Sequence, residues 1–132
     1  MRYIKQRPNQ CLLAAYCQIS DADYDTLAED YDIKKVMYDP SSVYRTFAPI
    51  AEAIDRYPQP RWPIGIMGAK EPPSLRGTGL LIIRQIYIAH AVSYENGMIL
   101  DPEHDGTLET WDTFYKRMKP SDWYVVLINA PR

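Results

Sequence analysis

Glu95-Asn96-Gly97 is the stretch that most constrains this chain. Asn-Gly between two strand-like runs marks a two-residue hairpin, because both turn positions need a positive φ that Asn and Gly tolerate. The runs here are Tyr87 to Tyr94 and Met98 to Asp101. With Asn96 and Gly97 at the turn, Glu95 faces Met98, Tyr94 faces Ile99, Ser93 faces Leu100 and Val92 faces Asp101. Side chains alternate with period two, so His90 and Val92 share a face, and Asp101 joins them on it. His90 and Asp101 are then diagonal neighbours, with Cα atoms about 7–8 Å apart. A slip of one residue would separate them. In this register a carboxylate holds an imidazole by one ring nitrogen and leaves the other facing outward.

The rest of the C-terminal part is also β in pattern. Gly79 to Ile83 reads as a buried strand and Trp123 to Asn129 as a final one. Between them, Thr110 to Met118 reads as a short helix with Trp111, Phe114, Tyr115 and Met118 on one side. The N-terminal part is helical. Asn9 or Gln10 opens a first helix just after Pro8, and Leu12, Leu13, Ala15, Tyr16 and Ile19 give it an apolar surface too broad for one stripe, so it is expected to be buried on most sides. Ser20 and Asp21 are turn and cap types before a shorter helix from Tyr24 to Tyr31. A third helix is expected from about Val43 to Tyr57, with Pro49 as a kink or break. From Pro58 to Gly77, five prolines and three glycines forbid a continuous helix; a short strand at Pro63 to Met67 fits, and the remainder reads as an irregular crossing. Helices followed by antiparallel strands predict a single α+β domain over residues 1–132, with a helical half at about 1–57, a crossing at about 58–78 and a β half at about 79–132.

Composition narrows the function classes. A formal net charge of -2 gives no electrostatic footprint for nucleic acid. No apolar run approaches the roughly 20 residues that span a bilayer. Met1 to Gln6 is too polar for a signal peptide, so a cytoplasmic, reducing setting is expected. Cys11 and Cys17 would sit on one helix, separated by about 9 Å of rise, too far for a disulfide. Both are expected to be free thiols. Cys11, Cys17, His90 and His104 lack paired zinc-type spacing, so no metal and no cofactor is expected.

The remaining question is whether a thiol is reactive. Cys11 opens an apolar helix, and a helix N-terminus below a thiol and an imidazolium beside it both favour the thiolate. The chain supplies the first locally and the second only where the fold brings His90 across. Gln6, upstream, could donate its amide to an oxyanion together with the Cys11 N–H. Each residue also has a plainer role: Cys11 as a small buried hydrophobe, His90 as a core histidine, Asp101-Pro102 as a strand-ending turn. Cys17 reads as structural, and His104, in a solvated turn, as a lesser candidate base. Trp62 and the proline-rich crossing could line a substrate groove, whereas Trp111 and Trp123 read as core.

Gln6, Cys11, His90 and Asp101, in that order, resemble the oxyanion residue, nucleophile, base and orienting residue of the papain-like cysteine peptidases. The likeness is strongest to the bacteriocin-processing (double-glycine) peptidase type. The runs Gly79-Leu80-Leu81-Ile82-Ile83, His90-Ala91-Val92 and Gly97-Met98-Ile99-Leu100-Asp101-Pro102 are similar as well. The resemblance implies a helical subdomain on a small antiparallel sheet with a cleft between, a Cys-His-Asp triad, an acyl-enzyme thioester, and a peptide or protein substrate cut at a peptide or isopeptide bond. The chain departs from the family in two places. The Gln-to-Cys gap is one residue short, which makes Gln10 a second oxyanion candidate. Leu12 also stands where relatives often carry Gly. Two alternatives keep the same fold: a catalytically idle binding or inhibitory module, and an acyl-transfer or deamidating variant of the same chemistry. A small chain of this kind is consistent with a bacterial or viral protein. Its oligomeric state is left open.

Overall fold

The structure, a computed structural model, describes residues 1–20, 22–29, 60–68, 71–85 and 89–128, without the side chains of 60–68, 124 and 126–128. Its elements in chain order are α1 (Cys11–Ile19), α2 (Tyr24–Glu29), β1 (Pro60–Gly68), β2 (Thr78–Arg84), β3 (Ala89–Glu95), β4 (Met98–Leu100), α3 (Trp111–Met118) and β5 (Asp122–Ile128). The expected helix at 43–57 lies outside the described residues, as do the expected starts of β3 at Tyr87 and of a cap at Asp21. The strands form one antiparallel sheet in the order β1-β5-β2-β3-β4. The described chain is therefore α+β.

The hairpin has the register expected of it. Ser93 pairs with Leu100, Tyr94 with Ile99 and Glu95 with Met98. Asn96 (φ 50°) and Gly97 (φ 84°) both sit in the left-handed region that a two-residue turn of this hand requires.

The strand expected at Pro63 to Met67 is present and longer than expected, running over Pro60–Gly68 and paired with β5. The reason lies in its place. β1 is an outer strand of the sheet, where proline's missing N–H need not interrupt a second ladder, and the register shifts between Arg61 and Gly65 around Pro63. Trp62 stands in this strand, and its side chain lies outside the described part. Ser20 serves as a turn residue, its Oγ accepting from the Ala22 N–H, and Asp23 opens α2, with its carboxylate accepting from the Thr26 hydroxyl at 2.7 Å and from the Asp25 and Thr26 N–H groups.

The sheet is covered on both faces. On one, α1 packs against Leu80, Ile82 and Ala91. All nine residues of α1 are buried, as its all-round apolar sequence implies. Gln18 is the polar exception, and each end of its amide is used: Nε2 donates to Ser93 Oγ (2.8 Å) and to the Leu100 carbonyl (3.0 Å), and Oε1 accepts from the Ile4 N–H (3.2 Å). Gln18 thus pins α1 onto the β3–β4 hairpin.

On the other face, Phe114 of α3 is fully buried against a cluster that includes Leu81, Ile83, Val92, Tyr94, Ile99 and Trp123. Trp111 and Met118 pack partly against it. Tyr115 is exposed, so the apolar side of α3 is narrower than expected. Thr110 caps α3 by accepting from the Thr113 N–H.

Replacing Gly97 by alanine puts a Cβ on a left-handed residue and is expected to cost about 1–2 kcal/mol. Urea unfolding of the Gly97→Ala variant checks this; an unchanged midpoint would mean that the turn is not what holds the hairpin.

Candidate active site

Three expected residues meet at the β3–β4 edge of the sheet. Cys11 is the first residue of α1. His90 is the second residue of β3, and Asp101 directly follows β4. His90 Nε2 lies 2.7 Å from Asp101 Oδ1, and the Cys11 side chain is close enough to the imidazole to raise its pKa. With Nε2 engaged by Asp101, Nδ1 is the nitrogen left for the sulfur. α1 covers one face of the sheet, while His90 pairs with Ile83 and so belongs by alternation to the other. Helix and imidazole can meet because the site is at an edge: the β3–β4 ladder begins only at Ser93, three residues past His90.

Asp101 is the most constrained group in the site. It is 1% exposed and each carboxylate oxygen has its own partners. Oδ1 takes His90 and the Glu103 N–H (2.9 Å); Oδ2 takes Arg117 (2.8 Å). Burial alone would raise its pKa, but the bonds from His90, Arg117 and the Glu103 N–H outweigh burial and hold the carboxyl well below the usual carboxylate range. Burial would likewise push His90 down. The hydrogen bond to Asp101 and the nearby Cys11 side chain win, and the imidazole is raised to about 10 from its ordinary 6.5.

Cys17, on the same helix, provides a contrast. It is buried among apolar side chains, and desolvation pushes its thiol up to about 12. Both cysteines are free. His104 is not at the site's centre; it pairs with Asp105 at 3.6 Å, and its carbonyl accepts from the Tyr3 hydroxyl.

The two glutamines are held differently. Gln10 precedes α1 but does not cap it; its Oε1 instead accepts from the Tyr24 hydroxyl at 2.7 Å. The first-turn N–H groups beside Cys11 are consequently not claimed by that side chain, and helix starts leave such donors free for an acceptor. Gln6 is lashed to the residue after Asp101, its N–H donating to the Pro102 carbonyl at 2.9 Å. Its side-chain Oε1 is buried with no hydrogen-bond partner among the described residues. Of the two candidates, Gln6 is the one tied to the Asp101 turn; its unpartnered atom is the acceptor Oε1, whereas an oxyanion would call on the Nε2 donor.

Four residues outside the expected set contribute. Gln18 seats the helix, Glu103 brings Oε2 to 3.8 Å from His90 Nδ1, and Arg117 and Glu109 form an ion pair behind Asp101. Gln18 had a signal, as the lone polar residue in an otherwise apolar helix face. Glu103, Glu109 and Arg117 had none, since charged residues at turns and helix ends are ordinarily solvated. Among the described residues, no three His, Cys, Asp or Glu side chains are grouped to hold a metal ion, and no helix is long and apolar enough to cross a membrane.

Comparison of the chain with protein-family models, curated proteins and solved structures finds no match.

The paired shifts predict a pH profile for stability. His90 is raised in the folded state, so its contribution is complete below about 6.5 and is lost as pH climbs toward about 10. Asp101 is depressed, so its contribution is present at neutral pH and is lost only in acid. Urea melts between about pH 6.5 and 8.5, below the range in which the raised Cys17 thiol adds an alkaline slope of its own, should show stability falling in the parent chain and nearly flat in His90→Gln. The same alkaline slope in both would remove His90 as its cause.

Proposed function

We propose that the chain is a thiol hydrolase of the papain-like type, acting on a peptide or isopeptide bond. The observation that carries this is the meeting of Cys11, at a helix N-terminus, with an imidazole that is hydrogen-bonded to Asp101 at 2.7 Å. Nucleophilic catalysis by cysteine runs through a thiolate beside an imidazolium. In the reaction, the Cys11 sulfur attacks the scissile carbonyl carbon. The oxyanion is held by the Cys11 N–H and the Gln6 amide. His90 passes its proton to the departing amine as the C–N bond breaks, leaving a thioester on Cys11. Neutral His90 then takes a proton from water, whose oxygen attacks the thioester, and the carboxylic acid leaves as the thiolate re-forms. Asp101 keeps the ring oriented throughout and is not itself protonated. No cofactor enters these steps.

One observation favours a second role for the same fold, a binding or inhibitory module with an idle site. Cys11 is only 7% exposed and His90 5%, so a substrate carbonyl has little open approach.

Alkylation of the two cysteines followed by mass spectrometry against pH separates the two. For a hydrolase, Cys11 reacts rapidly well below the ordinary thiol range near about pH 8.5, the reaction slows at least tenfold in His90→Ala, and Cys17 stays unmodified. Slow alkylation of Cys11, indifferent to His90, would overturn the hydrolase and favour the module. Cys11→Ala should abolish labelling by an electrophilic peptide probe without changing the fold seen by circular dichroism.

A further inference from the structure

Arg117 and Glu109 form a second layer behind the triad. Glu109 is 3% exposed and its main chain is bridged to β4: Ile99 N–H donates to the Glu109 carbonyl (2.7 Å), and Glu109 N–H to the Ile99 carbonyl (2.9 Å). Ile99 is two residues before Asp101, so Glu109 is fixed to the strand that delivers Asp101. Arg117 grips Glu109 through two nitrogens, Nε to Oε2 (2.9 Å) and Nη2 to Oε1 (2.5 Å). The same Nη2 donates to Asp101 Oδ2. The guanidinium also lies over the Phe114 ring, 5.5 Å from its centroid, one helical turn back along α3. Phe114 is fully buried. Arg117 is therefore held by a carboxylate, a ring and the helix that carries it.

We propose that Arg117, anchored by Glu109, is the positioning residue of the site: it locks Asp101 Oδ2 so that Oδ1 is presented to His90 Nε2. Asp101 follows the last residue of a three-residue strand and begins a turn, so its carboxylate could otherwise rotate away. A bidentate guanidinium suits this task better than an ammonium, because its planar fork fixes direction as well as charge. The charges are arranged to the same end. Arg117 and Glu109 cancel, which leaves the Asp101 charge available to His90. The other groups facing the imidazole are Cys11 and Glu103.

The proposal rests on the hydrolase reading for its catalytic meaning, but its test does not need a reactive Cys11. The titration of His90 is followed by imidazole nitrogen NMR in the full chain, in the parent and two variants. Arg117→Gln combined with Glu109→Gln removes one charge of each sign, so a pure charge effect on His90 cancels while the lock is lost. The expected result is a His90 midpoint lower by about one pH unit or more, a tenfold weaker hold on the proton, with Cys11 alkylation below neutral pH slowed to match. Arg117→Lys alone is the second variant, for a double variant that fails to fold. It keeps the positive charge beside Asp101 but loses the planar fork, and is expected to lower the midpoint too. A His90 midpoint unchanged in the folded variants, with only a lower melting temperature, overturns the proposal and makes the pair a structural brace. Ordinary-thiol alkylation of Cys11 in the parent overturns the hydrolase reading instead, while the His90 titration still decides the role of Arg117.

Discussion

A buried carboxylate is costly unless every lone pair is used, and Asp101 sets that requirement for the site. Its partners come from four places: β3 through His90, the following turn through the Glu103 N–H, α3 through Arg117, and, behind Arg117, the residue bridged to β4 through Glu109. None of these can move far without leaving a charge unpaired in a dry environment. Removing one partner of such a set is far more damaging than the net value of the set suggests, because the group left behind is stranded. The hairpin register, the seating of α3 and the orientation of His90 are thus aspects of one constraint.

The site lies where the two cores of the protein meet. α1 belongs to the cluster on one face of the sheet and α3 to the cluster on the other. β4 is short and at the edge, so the first turn of α1 can reach around to His90 while α3 braces Asp101 from the opposite side. Gln18 performs for α1 what Arg117 does for Asp101. It is a buried polar group whose several bonds fix one element against another and leave no slack. The arrangement gives a rigid imidazole and a nearly enclosed sulfur, which fits the proposed chemistry in geometry and restricts access to it.

Much of this was legible in local pattern. Asn96-Gly97 specified the turn, and with it the pairing of Ser93 with Leu100 that puts His90 and Asp101 on one face. The all-apolar Leu12-Leu13-Ala14-Ala15 run predicted burial of α1, and Phe114 was recognisable as the core-facing residue of α3. Where the pattern failed, a tertiary effect overrode it. The strand at Pro63 to Met67 was read as short because a proline is unwelcome inside a sheet, yet an outer strand tolerates it and the strand runs over Pro60–Gly68. Arg117 and Glu109 read as solvated charges because nothing within a few residues of either demands a buried partner. Tyr115 read as part of an apolar face that the packing of α3 leaves in water.

The sequence by itself determined the α+β class, the hairpin, and the approach of His90 to Asp101, because these depend on contacts within a dozen residues of one another. It also determined that Cys11 would begin a buried helix. Only the tertiary structure decided that Cys11 is brought beside His90, that β5 inserts between β1 and β2, and that an arginine near the end of α3 holds the Asp101 carboxylate. Those contacts join segments far apart in the chain. Their stability comes from burial and charge compensation that no local stretch can satisfy, so no local pattern records them.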